Sequence, residues 1–189
     1  YNNNFLNLVD NKISGSATST GSFGSIQMPG LSIGDQSNVI LGKNAGNAIS
    51  SGDVNNVLIG ENAGLSINAG EANAIIGFSA GDALTSGDLN TAIGYFALST
   101  STDVDRVVAI GTEAMEAGNV TSAADGTVAI GSKALQVLTS GAANVAIGKD
   151  SGKALTTGAH NTFLGTTTGD DMVEGSYNIA IGSDALGGA

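Results

Sequence analysis

A five-residue phrase, Asn-apolar-apolar-Ile-Gly, returns nine times along the chain. Its glycines are Gly42, Gly60, Gly77, Gly94, Gly111, Gly131, Gly148, Gly165 and Gly182, so the successive intervals are 18, 17, 17, 17, 20, 17, 17 and 17 residues. A near-constant period of this length predicts a solenoid, because one short repeat can bury its apolar residues only against the next copy. We therefore expect an all-β, parallel β-roll or β-helix of nine coils over residues 38–189, preceded by a leader or stalk-to-solenoid linker over residues 1–37.

In a solenoid each position of the repeat becomes a column. The residue before the glycine is Leu41, Ile59, Ile76, Ile93, Ile110, Ile130, Ile147, Leu164 or Ile181, and two residues before that stand Val39, Val57, Ala74, Thr91, Val108, Val128, Val145, Thr162 and Ile179. Strand side chains alternate, so these two columns share a face. Their bulk and β-branching suggest that they line the inside. The opposite face carries Ile40, Leu58, Ile75, Ala92, Ala109, Ala129, Ala146, Phe163 and Ala180. With both faces apolar the strand needs cover on both sides, which predicts self-association through the alanine column at Ala92, Ala109, Ala129 and Ala146.

Asn38, Asn56, Asn73, Asn90, Asn144, Asn161 and Asn178 open seven of the nine phrases, and stacked amides at strand spacing can form a hydrogen-bonded ladder. Gly52, Gly70, Gly87, Gly141, Gly158 and Gly175 suggest a second corner with positive φ, and pairs such as Ala83-Leu84 and Ala154-Leu155 suggest a second short strand in each coil.

Residues Phe5, Leu8, Val9 and Ile13 fall at helical spacing, as in the end of a coiled-coil stalk, with an extended polar leader as the alternative. Ser14 to Gly24 reads as linker, and Leu31-Ser32-Ile33-Gly34 as a vestigial first phrase. The sequence starts without methionine and stops in mid-repeat, from which we expect further protein on both sides.

Composition limits the function. A net charge of −11 argues against nucleic acid and against anionic membrane surfaces. No run of 18 apolar residues is present, so no membrane insertion is expected. Eleven residues after the phrase glycine come Asp53, Glu71, Asp88 and Asp105, a wet acidic edge or a loose site for Ca²⁺ or Mg²⁺. No other cofactor is implied. His160 is the only histidine, and Asp170-Asp171 is an isolated turn pair. The repetition itself speaks against catalysis, so the chain reads as a non-enzyme. Phe78 and Tyr95 follow the glycine on consecutive coils with Phe96 alongside; the rings either pack on one another without a ligand or are candidates for glycan or receptor binding through exposed faces. The longest interval, Gly111 to Gly131, places three extra residues between Glu116 and Asp125, either a tolerated bulge with no partner or a candidate recognition loop.

Phrases such as Asn144-Val145-Ala146-Ile147-Gly148 and Thr127-Val128-Ala129-Ile130-Gly131 resemble the head repeats of YadA-type trimeric autotransporter adhesins over residues 38–186. The longer period, with Asn90-Thr91-Ala92-Ile93-Gly94-Tyr95 and Ala97-Leu98, is more similar to repeats in bacteriophage tail fibres. The resemblance implies a left-handed coil, a homotrimer, and a fibre that attaches to a host glycan or protein receptor, on a virion or, alternatively, on a bacterial surface. Two other classes are an ice-binding solenoid, suggested by the column Thr85, Thr102, Thr139 and Thr156, and a glycan-degrading tailspike.

Overall fold

The computed structural model describes residues 38–187 except 51 and 119, together with the backbone of Leu8–Val9 and Lys12–Ile13. The chain divides into two compact units, residues 1–30 and 31–189. In the first, β1 (Leu8–Val9) pairs antiparallel with β2 (Lys12–Ile13), Leu8 opposite Ile13 and Val9 opposite Lys12. The helical reading of Leu8, Val9 and Ile13 is thereby corrected. A single turn of apolar spacing is met equally well by two short strands that set Leu8 opposite Ile13. Phe5, the Ser14 to Gly24 linker and the phrase at Leu31 to Gly34 lie outside the described residues.

The second unit is a parallel β-solenoid. Its nine strands are β3 (Val39–Leu41), β4 (Val57–Ile59), β5 (Ala74–Ile76), β6 (Thr91–Ile93), β7 (Val108–Ile110), β8 (Val128–Ile130), β9 (Val145–Ile147), β10 (Thr162–Leu164) and β11 (Ile179–Ile181). They form one sheet in sequence order with no register shift, each phrase lying beside the next. Nine strands enclose eight complete turns, one fewer than nine phrases suggest.

The phrase glycine has φ between +117° and +143° in all nine coils. A Cβ at Gly42, Gly60, Gly77, Gly94, Gly111, Gly131, Gly148 or Gly165 would land on the carbonyl of the glycine in the next coil. Both left-handed backbone and close stacking therefore demand glycine. At Gly70, Gly87 and Gly158 the need is proximity alone. There φ is not positive, and a Cβ would strike the carbonyl of Gly87, Val104 or Gly175.

Among the described residues no second strand forms. Beyond its three-residue strand each coil is a chain of turns, yet hydrogen bonds still climb from coil to coil, as from Ala83 N–H to Ser99 O (3.2 Å) and from Ala154 N–H to Asp170 O (3.1 Å). Left-handed residues such as Asn62, Phe96, Lys133 and Asp150 recur at the second position after the phrase glycine and keep this stretch from extending.

The core lies on the face opposite to the one the sequence suggests. Leu58, Ile75, Ala92, Ala109, Ala129, Ala146 and Phe163 are fully buried, while the Val and Ile columns on either side of them are partly or largely exposed. Alternation assigns residues to a common face but does not say which face is inside. Volume decides it, because a coil this thin has little room.

Six residues after the inward strand residue stands a left-handed position that compensates for it. Where the strand supplies Ile40, Leu58, Ile75 or Phe163, that position is Gly46, Gly64, Gly81 or Gly169; where the strand supplies Ala92, Ala109 or Ala129, it is Leu98, Met115 or Leu135. A Cβ at Gly64 would come within 2.8 Å of Leu58, and one at Gly169 within 3.0 Å of Phe163. Interiors pack at near-crystalline density, so in these layers one large side chain enters from one wall or the other; the Ala146 and Gly152 layer has neither, and Leu135 and Phe163 of the adjacent coils reach the space beside Gly152. Association through Ala92, Ala109, Ala129 and Ala146 is therefore ruled out: that column fills the coil.

Candidate interaction surface

With the alanine column inside, the outward strand face is apolar. Its two columns, Val39 to Ile179 and Leu41 to Ile181, contain Val, Ile, Leu, one Ala and two Thr and no charged residue over nine levels. Nine strands about 4.8 Å apart and three residues wide at about 3.3 Å give a face of roughly 40 by 10 Å, about 400 Å². A contiguous apolar patch of this size on a chain with a net charge of −11 is the candidate interaction surface.

Immediately beyond this face sit the candidate ring residues. The Phe78 and Tyr95 rings stack with centroids 5.5 Å apart and planes at 16°, and Phe96 meets both edge-on at 5.6 and 4.6 Å. Phe78 and Tyr95 are 42% and 51% exposed. Their stacking turns a face of each ring toward the other, so the cluster presents rims more than the open faces on which a sugar ring would lie. His160 and Tyr177 form a second, isolated stack, 5.0 Å apart at 11°, on consecutive coils.

The asparagines form a buried ladder. The Asn56 side-chain oxygen accepts from the backbone N–H and the amide of Asn73 (2.9 and 3.1 Å), and Asn73 accepts in the same way from Asn90. Each amide also donates to a corner carbonyl, as Asn73 does to Gly87 O at 2.8 Å. Asn144, Asn161 and Asn178 repeat the pattern, and Asn38 begins it by accepting from Asn56 N–H. Val107 and Thr127, which stand in the column without being asparagine, divide it into two runs.

The acidic residues do not form one equivalent column. Asp88 accepts from Glu71 N–H, Asp105 from Asp88 N–H, and Asp125 from Asp105 N–H (2.8, 2.8 and 3.0 Å). Asp125 also holds Arg106 at 2.8 Å. These carboxylates cap backbone donors of the coil before, which relieves the repulsion expected of a bare acidic edge. Asp53 stands apart, buried and bonded to the N–H and hydroxyl of Ser50. Counting from the preceding glycine missed Asp125, because three extra residues shift the count in that coil. Counting back from the following glycine, six residues, finds Glu71, Asp88, Asp105 and Asp125 together. Among the described residues no group of three or more His, Cys, Asp or Glu side chains is placed to hold a metal ion.

The extra residues near Glu116 to Asp125 are folded into the wall. They form a 3-10 turn at Ser122–Ala124, with Val120 and Ala124 buried and Ser122 and Ala123 exposed. The threonine column is likewise internal business: Thr85, Thr139 and Thr156 donate their hydroxyls to the carbonyls of Thr102, Thr156 and Val173 in the next coil (2.8, 2.9 and 2.9 Å). Asp170 and Asp171 border a shallow open depression with Val137, Lys153 and Ala154. No helix among the described residues is long and apolar enough to cross a membrane. The chain matches no protein-family model, and comparison with curated proteins and with solved structures finds no match.

Proposed function

We propose that this chain is a structural and adhesive segment of a homotrimeric fibre, of the bacteriophage tail-fibre kind, that takes part in host attachment. The observation that carries the reading is the uncharged Val and Ile face, which runs through nine levels on an otherwise acidic chain. Its apolar side chains repeat at every coil, and a partner that meets them level by level must repeat at the same interval. Another copy of the chain does so. Three copies would cover these faces together, while the corner carrying Asp170 and Asp171 would remain outside. The number three, the left hand of the coil and the place on a virion rest on the resemblance of the phrases to fibre repeats. The same resemblance makes the head of a bacterial trimeric surface adhesin the alternative. A catalytic role gains no support from acidic residues engaged as Asp88, Asp105 and Asp125 are.

Sedimentation and light scattering test the reading. The parent should be a trimer, and Ile110→Glu with Ile130→Glu should yield monomers that keep the β signal, since the charges enter the outer face. Ala109→Glu should instead abolish the fold, because it buries a carboxylate within the coil. A parent that is a stable monomer would refute the fibre, and trimers that fail to bind any of a broad panel of bacterial cells would refute its adhesive role.

A further inference from the structure

An interface made of identical levels has a defect that physical reasoning exposes: it does not define its own register. If two copies slip by one coil, about 4.8 Å, eight of the nine strand levels still face an equivalent level. The loss is a ninth of the contact, so the slipped and aligned states differ little in free energy. Flat repeating strands are prone to such slippage unless something breaks the repetition.

The three-residue insertion between Gly111 and Gly131 does not break it on this face. Strands β7 and β8, on either side of the insertion, pair in the same register as all the others, Val108 beside Val128 and Ile110 beside Ile130. The extra residues are taken up elsewhere, in the 3-10 turn. The ring cluster does break it. In the column one residue after the phrase glycine, every coil but two carries a polar side chain: Lys43, Glu61, Thr112, Ser132, Lys149, Thr166 and Ser183. Only Phe78 and Tyr95 are aromatic, on adjacent levels and two residues beyond Ile76 and Ile93 of the apolar face.

We propose that the Phe78, Tyr95 and Phe96 cluster fixes the axial register in which copies of this chain associate. The inference rests on the self-association proposed above. In register, the ring clusters of neighbouring copies lie at one level and can bury their exposed edges against one another. Slipped by one coil, one ring level faces Glu61 or Thr112 of the neighbour instead. Burying a ring edge against a carboxylate that then loses water is unfavourable, and aromatic pairing is forfeited. Two aromatic levels among nine thus supply the discrimination that the Val and Ile columns lack. The chain's own charge makes the second copy the fitting occupant: each copy carries −11, and the two strand columns beside the rings, Val39 to Ile179 and Leu41 to Ile181, are free of charge, so two copies can approach there.

Absence of native cysteine makes the test direct. Copies bearing Ile110→Cys are mixed with differently sized, tagged copies bearing Ile130→Cys, co-refolded and oxidised. With the rings in place, 110-to-110 cross-links should form and 110-to-130 cross-links should stay at background. In a Phe78→Thr, Tyr95→Thr background the 110-to-130 product should rise several-fold while the oligomer mass is unchanged. Three results would overturn the proposal: slipped cross-links that remain at background without the rings, a ringless variant that falls apart into monomers, or ring-dependent retention of a glycan on an array. A monomeric parent, read from the mass before any oxidation, removes the self-association itself and is thereby told apart from a failure of the rings alone.

Discussion

At the scale of single residues, stacking dictates what a position must be. Asp82 illustrates the cost of a group that does not fit. Burial raises its carboxyl above the ordinary value of 3.8, against the lowering effect of hydrogen bonds from Ser79 and from the backbone of Ala83 and of Asp82 itself. The folded state therefore holds the proton more tightly than the unfolded chain. Its contribution to stability is fully present below pH 3.8 and is lost as pH rises through the elevated folded value. At neutral pH the ionised side chain works against folding. Asp82→Asn, which keeps an acceptor for the same donors, should raise the urea midpoint at pH 7, and the gain should shrink as the pH is lowered toward and below 4 (about the free carboxyl value). An equal gain at pH 7 and pH 3.5 would show that desolvation of the charge is not the cause.

At the scale of the coil, most layers hold one large side chain delivered from either wall, the Ala146 and Gly152 layer being filled from its neighbours. Ala129 faces Leu135 across the interior where an earlier coil has Leu58 and Gly64. Converting one arrangement to the other gives a test by double mutation. Ala129→Leu alone overpacks the layer and should cost about 1 to 3 kcal/mol. Leu135→Gly alone opens a cavity worth about 2 to 5 kcal/mol, reduced by relief of a left-handed leucine at roughly 1 to 2 kcal/mol. The two together should cost less than their sum by at least about 1 kcal/mol, measured from denaturation midpoints. Simple additivity would mean that the two positions do not share a layer.

This pairing also explains what the sequence could and could not reveal. The period, the strands and the parallel stacking were legible because the phrase repeats in register. The asparagine column was legible because a short amide has few other uses at strand spacing. The inward face was not, since Ile and Val on one side and Ala on the other both look like core when only one strand is considered. The signal was present one turn further on, in the exchange of Gly46, Gly64 and Gly81 for Leu98, Met115 and Leu135. A second strand was expected from apolar pairs such as Ala83-Leu84, but a residue such as Leu84 can be buried in turns just as well. Asp125 was missed because the insertion broke a count made in one direction.

At the scale of the whole solenoid, stability is close to a sum of nearest-neighbour terms, so the weakest junction decides where opening begins. That junction lies between Val107 and Thr127. Val107 N–H still donates to the Asn90 side-chain oxygen at 3.0 Å, but the valine side chain offers no acceptor to the next coil. Thr127 takes Asn144 N–H at 3.4 Å, longer than the 2.8 to 3.0 Å of the asparagine steps such as Asn56 to Asn38 and Asn161 to Asn144. The missing rung coincides with the 20-residue coil, whose extra residues also interrupt the even run of turns. Amides of β7 and β8 that are bonded across this junction should therefore exchange faster than those of β4 and β5. Val107→Asn with Thr127→Asn would rebuild the rung, with the new amide at 107 aimed at the corner carbonyl of Ala124 as Asn90 is aimed at Val104. Each added hydrogen bond contributes about 1 kcal/mol, so exchange across the junction should slow by roughly five- to tenfold per bond (about 1.4 kcal/mol being tenfold). If exchange in the parent is uniform along the sheet, or the double substitution leaves it unchanged, then the backbone hydrogen bonds alone bind coil to coil and the asparagine ladder is not what makes the solenoid cooperative.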